Sequence, residues 1–246
     1  MLESMRVFFR GLAENAEGAS PVELEGVLAG VNPRVPDRSL PNSVVYREEA
    51  DLEAALPELT RAYDEAGVLA WTVWVPEHDE RIRRLLGEAG HSLDANPAAM
   101  IASLDEIEAP RDNDPEPDAE PRMEDVGRIN DLAYGTGDAF QRMTGTGPAD
   151  PAYTYVSRVD GQPAAAVVSQ DLDGDCSMWC VATVPEARGR GLAAGLMRRA
   201  LADGRRRGCE ITTLQATKLG QPVYQRLGYR SFGAIEMWER RKATPA

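Results

Sequence analysis

Val184 to Ala193 reads V-P-E-A-R-G-R-G-L-A and joins an apolar run, Ser177–Thr183, to a long amphipathic stretch, Gly191–Arg207. Gly189 and Gly191 allow a tight turn and a close approach of backbone N–H groups to a ligand. A helix starting here brings unpaired N–H donors and the positive end of its dipole, which together suit a pyrophosphate. Arg188 and Arg190 add charge, and Arg198, Arg199 and Arg205–Arg207 extend a basic patch along the helix. A solvated arginine-bearing helix after a tight turn has the same composition, so the surroundings must decide. The Lys-[Ser/Thr] ending of a nucleotide-triphosphate P-loop is absent.

Working outward, Met123–Tyr134 reads as a helix with Val126, Ile129, Leu132 and Ala133 inward, and Asp138–Met143 as a shorter one. Tyr153–Val159 and Pro163–Gln170 flank Asp160-Gly161, a hairpin signal, and Asp171–Asp175 turns into strand Ser177–Thr183. After the long helix come strand Ile211–Gln215, helix Gln221–Leu227 and strand Ala234–Glu239. Antiparallel strands followed by a strand–helix–strand crossover imply a mixed α+β or α/β sheet flanked by helices.

Towards the N-terminus, Asp105–Arg122 is acidic, proline-rich and nearly devoid of apolar residues, a linker or surface strap between segments 1–104 and 123–246. Before it lie strand Ser43–Tyr46, helix Glu49–Ala66, strand Gly67–Val75, helix Asp79–Ala89 and strand Ala98–Leu104, a smaller β-α-β-α-β half. Strand TVWVP, a helix ending in LLGEAGH and strand AAMIAS parallel strand TTLQAT, a helix ending in YQRLGYR and strand AIEMWER. That is either a weak internal repeat or the common look of two β-α-β units. The first copy has no counterpart of the Gly/Arg turn.

The chain has 246 residues and a net charge of -13, which argues against nucleic-acid or anionic-membrane partners. Residues 1–104 contribute -9, residues 105–122 contribute -6 and residues 123–246 contribute +2, so an anionic ligand belongs with the last segment. No apolar run approaches the roughly 20 residues of a membrane span. The N-terminal stretch is too short in apolar residues and turns acidic too soon for a secretory signal, so a cytoplasmic protein is expected. Cys176, Cys180 and Cys209 are too few for a disulfide framework, and with His78 and His91 alone beside them no metal site is expected.

Arg188, Gly191 and Ala193 fill the Gln/Arg-x-x-Gly-x-Gly/Ala signature of the GNAT N-acetyltransferase superfamily, with Pro185 and Glu186 upstream. Val223–Tyr229, V-Y-Q-R-L-G-Y, resembles that family's Tyr-x-x-x-Gly-[Phe/Tyr] signature. The resemblance covers residues 123–246 and implies a GNAT-like mixed sheet, with the first segment a degenerate GNAT-like half as in tandem-GNAT proteins. It also implies acetyl-CoA as co-substrate, with no metal. By the same resemblance Val181, Ala182 and Thr183 contact the pantetheine, and Arg188, Gly189, Arg190, Gly191, Leu192 and Ala193 the pyrophosphate. A strand amide near Val181 polarises the thioester carbonyl. Tyr224 protonates the departing thiolate, or else is a packing tyrosine.

The implied reaction is acetyl transfer to a primary amine, on a small molecule or a peptide, by direct attack in a ternary complex. The alternative is a non-catalytic acyl-CoA-binding or regulatory module. No general base is visible, since Ser177–Thr183 contains no Asp or Glu. Asp171, Asp173 and Asp175 read as an acidic turn, and Ala182 stands where a calcium loop needs Glu. The three cysteines read as core thiols, Trp71 and Trp74 as core of the first half, and Trp179 and Trp238 as core or acceptor-site aromatics. The acidic linker, if folded over the acceptor site, favours a cationic acceptor.

Overall fold

The structure is a computed structural model and describes residues 1–145 and 152–242. The first half runs α1 (Leu2–Asn15), β1 (Ser20–Leu24), β2 (Val27–Val31), β3 (Ser43–Tyr46), α2 (Glu49–Glu65), β4 (Ala70–Pro76), α3 (Glu80–Glu88), β5 (Ser92–Ala95) and β6 (Ala98–Ser103). The second runs α4 (Met123–Tyr134), α5 (Ala139–Thr144), β7 (Ala152–Val159), β8 (Gln162–Leu172), β9 (Asp175–Thr183), α6 (Leu192–Arg206), β10 (Ile211–Ala216), α7 (Gln221–Arg226) and β11 (Arg230–Arg241). The first half therefore opens with a helix and two strands that the β-α-β-α-β reading leaves out. Met5, Phe8, Phe9 and Leu12 form the buried stripe of α1 at helical spacing.

Among the described residues one sheet runs in the order β1-β2-β3-β4-β11-β6-β10-β9-β8-β7, with β5 also on β11. The order is nearly palindromic. Each half supplies an antiparallel meander and then a parallel pair, β3–β4 or β9–β10. The closing strands are exchanged. β6 of the first half pairs antiparallel with β10, and β11 of the second pairs antiparallel with β4. The two closing strands meet through Arg230–Ala234.

Three apolar clusters fill the layers. One lies under α1 and α4, spanning both halves through Phe8, Phe9, Leu28, Trp74, Ile129 and Trp179. A second lies under α6 and α7, and a third under α2 and α3.

The acidic stretch after β6 is a strap on α6. Asp105 pairs with Arg205, Asp114 with Arg198 and Glu116 with Arg199. Its amide at Asp118 then reaches Val156 O at 2.7 Å, and its Asp118 carboxylate holds Arg158. The Asp114–Arg198 pair is bidentate and buried. Close packing requires Gly195, because a Cβ there would collide with the Pro115 ring and the Asp114 carboxylate. The basic patch expected along this helix is therefore neutralised. Arg206 and Arg207 are also paired, with Asp203 and Asp171. The strap contributes no residue to the cavity described next.

Candidate active site

β9 and β10 run parallel but share register at Ile211↔Asp175 alone, so the two strands part towards their C-terminal ends. Part-way along, β9 bulges: Cys180 and Val181 face the single residue Val167 of β8. Cys180 takes φ +50°, unusual for a residue with a side chain and common at the bulge of a functional strand. α4 holds this bulge at two carbonyls. Buried Asn130 donates Nδ2–H to Cys180 O at 3.2 Å, and the Tyr134 hydroxyl donates to Val181 O at 3.4 Å. Neither residue is singled out by the sequence reading. The available signal was a polar Asn inside the apolar stripe of Val126, Ile129 and Ala133.

Beyond Thr183 a short 3-10 turn, Pro185–Ala187, leads to Gly189 and Gly191 with φ +74° and +75°. Nothing lies within 4 Å of where a Cβ at either glycine would stand, so the backbone faces open space. Gly191 caps α6 without a side-chain hydrogen bond, which leaves the first amides, Leu192 and Ala193 among them, for an external acceptor. Arg188 is exposed but tied to backbone: its Nη2–H donates to Ala133 O at 2.7 Å and its Nε–H to Thr183 O at 3.3 Å. Arg190 makes no ion pair among the described residues.

A cavity of about 760 Å³ opens between the parted strands and the first half. Tyr224, Cys180 and Val181 line it from the second half, while Phe8, Phe9 and Trp74 come from the first. Tyr224 is nearly buried, and burial, with Tyr134 nearby, pushes its phenol well above the usual range. The hydroxyl therefore stays protonated at neutral pH. Burial also pushes the Cys180 thiol up to about 12, so it carries no thiolate. Cys180 is thus a wall residue rather than a core thiol, while Cys176 and Cys209 are buried in the second cluster. Trp179 is both core and wall: it stacks on Phe8 with centroids 3.9 Å apart. Trp74 likewise reaches the cavity, whereas Trp71 packs on Tyr63 and Trp238 bonds Glu236.

The acidic turn serves the fold. Asp171 pairs with Arg207, and Asp175 accepts hydrogen bonds from Ser4 and Thr213. Neither lines the cavity, nor does Asp173. Among the described residues no group of three or more His, Cys, Asp or Glu side chains is arranged to hold a metal ion. No described helix is long and apolar enough to cross a membrane. The first half repeats the strand pair without the turn. β3 passes to α2 through Arg47 and Glu48 alone, and the first turn of α2 carries Glu49 and Asp51. Negative charge at that helix start opposes an anion.

The profile of the acetyltransferase (GNAT) family matches residues 111–229. A GCN5-related N-acetyltransferase from Kribbella flavida superposes with TM-score 0.69 at 17% identity, over 98% of this chain and 96% of that one. A putative GNAT-family acetyltransferase from Novosphingobium aromaticivorans gives 0.57 at 20% identity, over 95% and 98%. A tandem GNAT protein from the clavulanic acid biosynthesis pathway gives 0.54 at 13% identity, over 100% and 96%. At such identities the likeness is one of fold. A comparison with curated proteins gave no match in sequence. The turn, the parted strands and the profile agree: residues 111–229 match the GNAT acetyltransferase family, and both halves of the chain have a GNAT-like fold.

Proposed function

We propose that the chain is an acetyl-CoA-dependent N-acetyltransferase whose second half does the chemistry on a primary amine. The observation that carries this is the parting of β9 from β10 beside a cavity that both Val181 and Tyr224 line. The residues fit the co-substrate. Open space over two left-handed glycines and the uncapped start of α6 suit a pyrophosphate, with Arg188 closing the turn from behind. Backbone of Val181, Ala182 and Thr183 would carry the pantetheine, and an amide at the bulge would polarise the thioester carbonyl. Acetyl-CoA supplies the activated acyl group. The amine nitrogen bonds to the acyl carbon, the carbon–sulfur bond breaks, and Tyr224 gives its proton to the leaving sulfur. The amine proton passes to solvent, and Tyr224 is reprotonated from there.

Calorimetry tests the placement. Gly191→Glu fills the open space with an anionic side chain, and a folded variant should lose acetyl-CoA binding. Unchanged affinity would overturn the site. Among the described residues the cavity wall carries no Asp or Glu apart from Asp94 at its rim, which favours a second reading, a non-catalytic acyl-CoA-binding module. Binding without CoA release across a panel of amines would establish it.

A further inference from the structure

The cavity wall has an unequal division of chemistry. Its titratable groups are Asp94, Tyr134, Cys180, Lys218 and Tyr224. Asp94 is exposed on β5, and Lys218 is exposed after β10. Among the described residues the wall therefore offers one carboxylate and one ammonium, both at the rim. Its interior is mostly aromatic and thioether, with the neutral amides of Asn130 and Gln215 beside it: Phe8, Phe9, Trp74 and Trp179 form a linked set, with Phe140, Met143, Met178 and Met237 around them. The indole N–H groups of Trp74 and Trp179 are already donated to Ser43 and Ser177, so these rings add no donor to the cavity.

Resting on the acetyltransferase reading, we propose that the acceptor is a monoamine with an aromatic or comparably flat apolar body, which the first half of the chain selects. A polyamine or an aminosugar with several ammonium groups would bring charges into a wall with one carboxylate, and each unpaired buried charge is costly. A flat apolar body instead matches the ring set, and the methionines adapt around it. The same wall accounts for the missing base. Desolvation disfavours the ammonium form and lowers the amine's pKa, so the bound amine is delivered neutral to the acyl carbon without a carboxylate to deprotonate it. The second half alone lacks this wall, because α1, β4 and the segment before β6 build it.

The test uses the full chain with acetyl-CoA and follows CoA thiol release with 2-phenylethylamine, tryptamine, spermidine and glucosamine. Burial of one aromatic side chain predicts a kcat/KM about 10- to 100-fold higher for the two aryl amines. Phe140→Ala, at a half-buried position, should lower that preference several-fold while leaving acetyl-CoA affinity unchanged. Leu93→Glu, at an exposed rim position, adds a second carboxylate and should shift preference towards spermidine. Equal or greater kcat/KM for spermidine or glucosamine with the unaltered chain would overturn the acceptor class and leave the acetyltransferase reading standing. Release from none of the four, with acetyl-CoA still bound, would overturn the catalytic reading and the acceptor class with it.

Discussion

Tyr224 meets two requirements of a proton donor. It lies on the cavity wall, and its burial holds the hydroxyl protonated across the neutral range. Tyr224→Phe keeps the ring against Tyr229 and removes only the donor. Turnover should fall by about 10²–10⁴-fold with acetyl-CoA affinity retained, measured by steady-state kinetics beside calorimetry. Full turnover in a well-folded variant would reduce the residue to packing. With no histidine on the wall, the rate should rise with pH as the free amine gives up its proton. Tyr224 and the glycine turn could be singled out in the sequence because each lies in a short local motif. Asn130 and Tyr134 were not, because what they hold is a bulge some fifty residues further along the chain.

At the scale of elements, the strap changes the meaning of the arginines on α6. They read as a surface patch because a sequence displays charges without their partners. In the fold, Asp114 takes Arg198 in a buried pair, and that guanidinium holds the Asp114 carboxyl below its usual range. Asp114→Ala would leave Arg198 buried and unpaired, a loss of about 3–5 kcal/mol in urea unfolding. Replacing Arg190 with Ala should weaken acetyl-CoA binding more at low salt than at high, since no described partner screens it. α1 was also within reach of the sequence. Its 5, 8, 9, 12 spacing is helical, although nothing local shows that Phe8 will meet Trp179 across the halves.

Across the whole molecule, the exchange of closing strands makes the halves interdependent. A chain cut to 123–246 would leave β10 without β6, and one cut to 1–104 would leave β4 without β11. Each fragment should be insoluble when expressed alone, and the two should be recovered as a soluble pair when expressed together. A soluble, cooperatively unfolding 123–246 fragment would refute the interdependence. Period-two strands announce themselves in a sequence but not their neighbours, which is why both closing strands were legible and their partners were not.

A second molecule-wide effect concerns acid. His91 is buried with its ring edge on Trp71, and burial lowers its pKa from 6.5 to about 4. The unfolded chain takes up a proton near pH 6.5 that the folded chain refuses until about pH 4. Stability present above pH 6.5 is therefore lost as pH falls towards 4, by about 2 kcal/mol between pH 7 and pH 5. Urea unfolding at these two pH values should show that difference shrinking in His91→Leu.

The exchange also sets a schedule. Pro76 has its register partner in Ile235, and Ala70 in Arg241, on β11, which is made after every other described strand. Until then the edges of β4 and β6 are bare, an invitation to pair with another nascent chain. Partners so distant along the chain also mean slow closure. A protein built this way cannot complete its first half while making its second, so the interval before β11 emerges is when it most needs a chaperone.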